Sequence, residues 1–182
     1  MPTLESFLET HVFAFMVCFT RIGTAAMIMP GIGDSFVPAN VRLYFTLALS
    51  AILTPFVMTH LPNPLPTGAL FLAILFVEFL TGALIGTIAR IFMSITDTAG
   101  MIISFQAGLS NAQLFNPMMA SQGSLVGAFL SLSAATLLFG LNLHHLLLMG
   151  LIESYTRFPI GQVPDTASMA DVVTRSVASA FM

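Results

Sequence analysis

Four long apolar stretches limit what this chain can fold into. They cover approximately residues 7–30, 41–60, 70–95 and 125–152. Each is close to or above the ~20 residues with which a helix crosses a hydrocarbon core of ~30 Å. Backbone groups in lipid must be hydrogen-bonded within the protein, and the apolar residues follow one another without alternation, so we expect helices. The sequence therefore predicts an all-α fold, a polytopic membrane bundle of helical hairpins with about four long apolar helices.

The scarcity of charge supports the same fold. Only 7% of the residues are charged and none is lysine, whereas a soluble domain carries about 25% charged residues. So few charges cannot cover a soluble surface, and lipid or apolar partner subunits must therefore cover it. The net charge of −3, without a basic cluster, argues against nucleic acid as a partner.

The two ends of the sequence carry separate signals. Glu5 and Glu9 stand where a secretory signal has basic residues, so the first apolar stretch is expected to remain in the mature protein. After Pro164 apolar residues return at helical spacing, and the sequence stops at Met182, which predicts an incomplete fifth helix. Residues 1–182 are therefore interpreted as a single membrane domain that is incomplete at its C-terminal end.

Residues 96–124 differ from the apolar stretches, because hydroxyl and amide side chains are mixed there with methionine and phenylalanine. The segment is too polar to cross lipid and too apolar for an ordinary exposed loop. Irregular backbone at membrane depth is tolerated only against protein or a water-filled cavity. We therefore predict a re-entrant or partner-facing segment.

Four charged residues lie inside or beside the apolar stretches: Arg21, Glu78, Arg90 and Asp97. A charge at the centre of a bilayer helix costs about 2.5–3.5 kcal/mol, so such groups face partners or water. Arg21 can pair with Glu78 or with a carboxylate of another subunit, whereas Glu78 and Arg90 are too far apart on one helix to pair. Two interpretations stay open: these residues fix packing between helices, or they take part directly in transport.

Small residues mark one side of the predicted third helix. Gly82 and Gly86 follow Glu78 at intervals of four residues and so share its side of the helix. A small-xxx-small face of this kind allows two helix backbones to approach closely. Gly123 and Gly127 repeat the spacing later in the chain.

The adjacent His144 and His145 are compatible with a polar contact between helices, a proton relay or a metal ligand. Neighbouring side chains point about 100° apart around a helix and chelate one metal poorly, and no nearby cysteine or carboxylate spacing completes a metal site. The sequence also lacks the lysine of a phosphate-binding loop and a GxSxG motif. We expect neither an enzyme nor a cofactor.

Several motifs, in order along most of the chain, resemble the FliR family of flagellar export-gate proteins. They are Arg21-Ile22-Gly23, Val37-Pro38-Ala39-Asn40-Val41-Arg42, Glu78-x-x-x-Gly82-x-x-x-Gly86, Phe105-Gln106-Ala107-Gly108, Asn142-Leu143-His144-His145 and Phe158-Pro159-Ile160-Gly161. The virulence-type secretion homologue SctT belongs to the same superfamily and is the close alternative.

The resemblance implies a core subunit of the type III export gate, in the bacterial inner membrane at the flagellar basal body. It implies assembly with FliP-like and FliQ-like gate subunits and an FlhB-like protein into a closed pore for unfolded flagellar proteins. It also implies that some apolar hairpins are raised out of the bilayer and covered by partner subunits. Family members usually continue with another hydrophobic hairpin beyond the point that matches Met182.

The resemblance further implies that the segment 96–124 contributes to the plug of the pore. The residues expected to line or plug the pore are Phe105, Gln106, Asn111, Phe115, Met118 and Met119. Those expected to fix packing between helices or subunits are Arg21, Glu78, Gly82, Gly86 and Arg90. Two other functions stay open: a stand-alone secondary transporter or ion channel with a proton path through Glu78, Asp97 and His144, and an intramembrane enzyme.

Overall fold

The structure, a computed structural model, contains five α-helices in the part of the chain that it describes, namely residues 4–62, 64–108 and 124–161. Residues 170, 171, 174, 175, 177 and 178 are also described and are helical. The helices are α1 (Leu4–Ile28), α2 (Ala39–Met58), α3 (Ala69–Gln106), α4 (Leu125–Gly140) and α5 (Leu143–Arg157). No strand occurs within these ranges, and the all-α prediction is confirmed.

Three helices are long and apolar enough to cross a membrane: Phe7–Ile28, Ala39–Met58 and Ala69–Gln106. Helices α4 and α5 amount to a fourth span if they are taken together, although they are bent by 74° at the break between them. The expected number of about four apolar spans is therefore confirmed by length and composition.

Helix α1 is the centre of the bundle, because α2 and α3 both pack mainly against it. Cys18 on α1 lies against Ser50 on α2, so these two helices run antiparallel across the turn at 29–38. Helix α3 runs parallel to α1 and extends beyond it, and α4 returns antiparallel along this extension. Helix α5 then brings the chain back to α1.

The core contains apolar residues from all the helices that meet α1. Its members include Phe13, Val17, Cys18, Ile22, Val57, Ile74, Leu151, Tyr155 and Ile160. The free thiol of Cys18 is fully buried and donates a hydrogen bond to the carbonyl oxygen of Ser50 at 3.5 Å. This is the behaviour of a small buried hydrophobic residue.

Helix α2 buries mainly small polar side chains and exposes several large apolar ones. Helix α2 buries Thr46, Ser50 and Thr54 against the bundle, while Tyr44 and Ile52 on the same helix are about 70% exposed. The hydroxyls of Thr46 and Thr54 donate to carbonyl oxygens of their own helix, as Thr54 does to Ser50 at 2.7 Å, whereas the buried hydroxyl of Ser50 has no partner among the described residues. Such an arrangement requires lipid or apolar partners outside the bundle.

Two expectations about element bounds were wrong. The third apolar stretch does not end near residue 95, because α3 continues through 96–106, the first part of the segment that we expected to be re-entrant. The fourth stretch is not one helix, because Leu141 and Asn142 separate α4 from α5 and Asn142 adopts a left-handed backbone with φ of 58°. Asparagine tolerates this conformation better than most residues, which allows the bend.

Candidate functional site

A buried ion pair joins α1 to α3. The Nε of Arg21 donates to Oε2 of Glu78 at 2.6 Å, and its Nη2 donates to Oε1 at 2.9 Å. Arg21 is 1% exposed and Glu78 is fully buried. The fork of a guanidinium matches both oxygens of a carboxylate, so the contact fixes orientation as well as charge. The structure therefore brings Arg21 and Glu78 together within one chain.

The remaining donors of Arg21 bind the end of α5. Its Nη1 donates to the hydroxyl of Ser154 at 3.2 Å, and its Nη2 also donates to the carbonyl oxygen of Phe158 at 3.0 Å. The ring of Tyr155 lies 4.1 Å from the guanidinium carbon, within the range of a cation–π contact. A single arginine thus connects α1, α3 and α5, and its charge is compensated inside the bundle.

The next two turns of α3 lie directly on the backbone of α1. A Cβ atom at Gly82 would overlap the carbonyl oxygen of Arg21, and one at Gly86 would meet the carbonyl oxygen of Ala25 at 2.8 Å. Only glycine permits this approach, as expected for a small-xxx-small face. The ion pair and the close backbone contact are therefore neighbours on one face of α3.

The C-terminal part of α3 packs on α4, and glycine again lies at the contact. A Cβ atom at Gly100 would overlap the backbone of Gly127. The hydroxyl of Ser124 caps α4 by accepting from Gly127 N at 3.1 Å, donates to the carbonyl oxygen of Gly100 at 3.1 Å and contacts the Ser104 hydroxyl at 2.5 Å. The hydroxyls of Ser104 and Ser124 are therefore satisfied by contacts between α3 and the start of α4.

A polar cleft of about 110 Å³ separates these two contact regions. Arg90 donates to the carbonyl oxygen of Ile28 at 3.2 Å and lies 3.6 Å from a carboxylate oxygen of Asp34. Asp97 accepts a hydrogen bond from Ser131 on α4. The Arg90 side chain is about half exposed, so its contacts hold the turn after α1 but are open to exchange.

The proposed proton-path residues are not brought together. Glu78 is bound by Arg21, Asp97 by Ser131, and His144 lies beside Phe139 with 5.2 Å between ring centroids. Within the described part of the chain, no hydrogen bond links these three residues to one another. No group of three histidine, cysteine, aspartate or glutamate side chains in that part could hold a metal ion.

The predicted pore residues fall in two places. Phe105 and Gln106 form the exposed end of α3. Asn111, Phe115, Met118 and Met119 lie outside the described residues. Sequence reasoning missed Ser154, Phe158, Ser124 and Asp34, because isolated serines, a backbone carbonyl and a turn aspartate carry no motif that marks their partners.

Comparison with known proteins places the chain among export proteins. The family described as "Bacterial export proteins, family 1" matches residues 12–182. The flagellar biosynthetic protein FliR of Caulobacter vibrioides is 39% identical over 172 residues, which cover 94% of this chain and 68% of that protein. FliR of Bacillus subtilis is 32% identical over 149 residues, covering 82% of this chain and 57% of the relative.

The virulence-type relatives match over a shorter range. The Yop proteins translocation protein T of Yersinia pestis is 35% identical over 83 residues, which cover 46% of this chain and 32% of that protein. The matched part of the chain spans less than two thirds of the Bacillus relative. The resemblance drawn from the sequence motifs is confirmed, and the chain belongs to the bacterial export proteins, family 1.

Proposed function

We propose that this chain is a core subunit of the flagellar type III protein export gate and helps form the closed pore through which unfolded flagellar subunits leave the cell. The observation that carries the proposal is the match of residues 12–182 to an export-protein family, together with FliR relatives that align over most of the chain. Helices that are long and apolar enough to cross a membrane support such a role.

The role is that of a non-enzymatic scaffold. The charges of Arg21 and Glu78 compensate each other, and the glycines of α3 hold helix backbones together. Groups of this kind fix a shape and do not supply a nucleophile or a proton donor to a substrate. Arg21, Glu78, Gly82 and Gly86 act within the subunit, and Arg90 holds the turn at Asp34.

The exposed apolar surface supports assembly with other subunits. Helix α3 has 38 residues and is therefore about 57 Å long, whereas a hydrocarbon core is ~30 Å thick. A straight crossing leaves one end outside lipid, and apolar side chains such as Ile102, Ile103 and Phe105 are exposed near its C-terminal end. FliP-like and FliQ-like gate subunits and an FlhB-like protein cover such surfaces in the inner membrane at the flagellar basal body.

The plug of the pore belongs to the segment 96–124. Its first turns continue α3 and carry Phe105 and Gln106 at the exposed helix end, from which the chain leads into residues Asn111, Phe115, Met118 and Met119. Methionine adapts its shape to irregular apolar surroundings, so it can close around a gap and give way to a passing chain.

The alternatives have less support. A virulence-type gate subunit is compatible with the Yersinia relatives, but these align with less than half of the chain. A stand-alone transporter needs titratable side chains that line one continuous path. Glu78 does not meet this requirement, because Arg21 binds both of its carboxylate oxygens. An intramembrane enzyme has neither a motif nor a cluster of catalytic groups among the described residues.

Gene deletion and complementation in the native bacterium test the proposal. Loss of the gene is expected to abolish filaments and the appearance of flagellar subunits in the medium, and a plasmid copy is expected to restore both. Secretion of virulence effectors is measured in parallel. Normal flagellar export without the gene contradicts the proposal, and loss of effector secretion alone selects the virulence-type alternative.

A further inference from the structure

An apolar groove with one carboxylate lies where α1 and α3 begin. Its volume is about 290 Å³, and its walls include Val12, Phe13, Met16 and Phe71, with Glu9 among them. Phe13 and Phe71 form the floor, with ring centroids 5.5 Å apart, and Phe13 is buried. Val12 and Met16 are exposed along the rim.

Glu9 has no cation beside it in the described part of the chain. The other acidic side chains described there all have donors: Asp34 binds Arg90 and Gly31, Glu78 binds Arg21, Asp97 accepts from Ser131, Glu153 lies near Arg157, and Asp171 binds Arg175. Glu9 therefore differs from them in having an uncompensated charge next to an apolar surface.

Each of the five arginines, all of which lie in the described part of the chain, already has a contact of its own. The chain has no lysine. Arg21, Arg90, Arg157 and Arg175 each have a carboxylate, and Arg42 donates to the carbonyl oxygen of Gly33 at 3.2 Å. A second copy of the chain would have to break one of these contacts to supply an arginine, so it fits the groove less well than a chain with an unpaired basic side chain.

Lipid is also a poor occupant of this groove. Glu9 lies within the first turn of the apolar span Phe7–Ile28, and a carboxylate beside an acyl chain loses its hydration without gaining a partner. A protein segment with large apolar side chains and one basic side chain satisfies both the walls and the carboxylate. We propose that the groove formed by Glu9, Val12, Met16 and Phe71 docks an apolar segment of a different protein chain, which carries a lysine or arginine that pairs with Glu9.

The proposal goes beyond the export function, because it requires a partner chain of this chemistry whatever the apparatus transports. It is tested in the native bacterium with the full chain at its own expression level. A benzophenone amino acid is placed at Met16, on the rim of the groove, and the peptide to which it crosslinks is identified by mass spectrometry. The matched control carries the same group at Met149 on α5, an exposed methionine outside the groove.

The expected adduct at position 16 contains a peptide of another protein with a basic residue close to the crosslinked atom. Glu9→Gln is expected to lower its yield about tenfold, as for loss of one partner of a desolvated charge pair. Glu153→Gln, on an exposed pair of α5, is expected to leave the yield unchanged. Glu9→Lys abolishes the adduct, and replacing the partner's basic residue by glutamate restores it.

Several results overturn the proposal. An adduct only with lipid, with the same polypeptide or with a second copy identifies a different occupant. A foreign adduct whose yield is unaffected by Glu9→Gln removes the ion pair from the interface. Because Glu9→Gln keeps the shape of the side chain, it decides the question even if Glu9→Lys fails to accumulate in the membrane.

Discussion

Gly82 contacts the main chain of Arg21, while Glu78, one turn earlier on the same helix, binds the side chain of Arg21. The close approach of the two helices and the buried ion pair therefore depend on the same residue of α1. The glycine sets the distance at which the carboxylate reaches the guanidinium with both oxygens. The two features are expected to fail together.

The first prediction concerns the ion pair. Glu78→Gln leaves the guanidinium of Arg21 buried without a counter-charge, and breaking a buried pair in this way costs about 3–5 kcal/mol. We expect a loss of this size in equilibrium unfolding measured in mixed micelles. The control Arg157→Gln breaks an exposed pair and is expected to cost less than about 1 kcal/mol. Equal losses in the two variants contradict the assigned role of the buried pair.

The second prediction concerns the glycine face. Gly82→Ala places a methyl group against the carbonyl oxygen of Arg21, and overpacking of this kind costs about 1–3 kcal/mol. The control is Gly150→Ala on α5, where nothing lies within 4 Å of the added methyl group. Replacing this glycine is expected to be neutral or to stabilise the helix by about 0.5–1 kcal/mol. The free energy of unfolding of the two variants is compared under identical conditions. An unchanged free energy of unfolding in Gly82→Ala contradicts the close contact.

The third prediction concerns the contact between α3 and α4. Ser124→Ala removes the cap of α4 and the bond to the Gly100 carbonyl oxygen, and loss of a helix cap alone costs about 0.5–2 kcal/mol. Ser133→Ala is the control, because that hydroxyl bonds only to the Phe129 carbonyl oxygen of its own helix. Hydrogen exchange of α4 is expected to rise in the first variant and not in the second. Equal hydrogen exchange of α4 in the two variants contradicts the proposed role of Ser124.

The fourth prediction concerns the plug. Deleting residues 110–119 from the assembled gate is expected to open a conducting path for ions, measured as conductance in a planar bilayer. Met118→Leu combined with Met119→Leu is the control, because this swap conserves volume and apolar character and is expected to leave the gate closed. Unchanged conductance together with normal export after the deletion excludes a plug in this segment.

Hydropathy was sufficient to predict the first three helices, because their apolar runs are continuous and bounded by proline and glycine. Hydropathy did not predict the C-terminal end of α3, because the polar residues Thr96, Asp97 and Ser104 indicated that the helix ends before them. The structure gives these side chains partners on α4 or at its cap: Ser131 for the first two and the capping residue Ser124 for the third. A polar residue satisfied by another helix cannot be told from an exposed one by sequence pattern alone.

The sequence left two possible partners for Arg21, namely Glu78 and a carboxylate of another subunit. A lone charge in an apolar helix indicates that a partner exists but not which residue it is. The hydroxyl of Ser154 and the carbonyl oxygen of Phe158 could not be anticipated, since both lie more than 130 residues from Arg21. The bend at Asn142 was also missed. A single asparagine in an apolar run adopts a left-handed backbone only when the packing on both sides requires it.

Affinity purification of the tagged chain from membranes of its native bacterium, in mild detergent, tests the export-gate account most directly. FliP-like and FliQ-like subunits are expected in the eluate at fixed ratios, in one complex that survives size-exclusion chromatography. Recovery of the chain alone, from cells whose flagellar export is intact, would contradict the account.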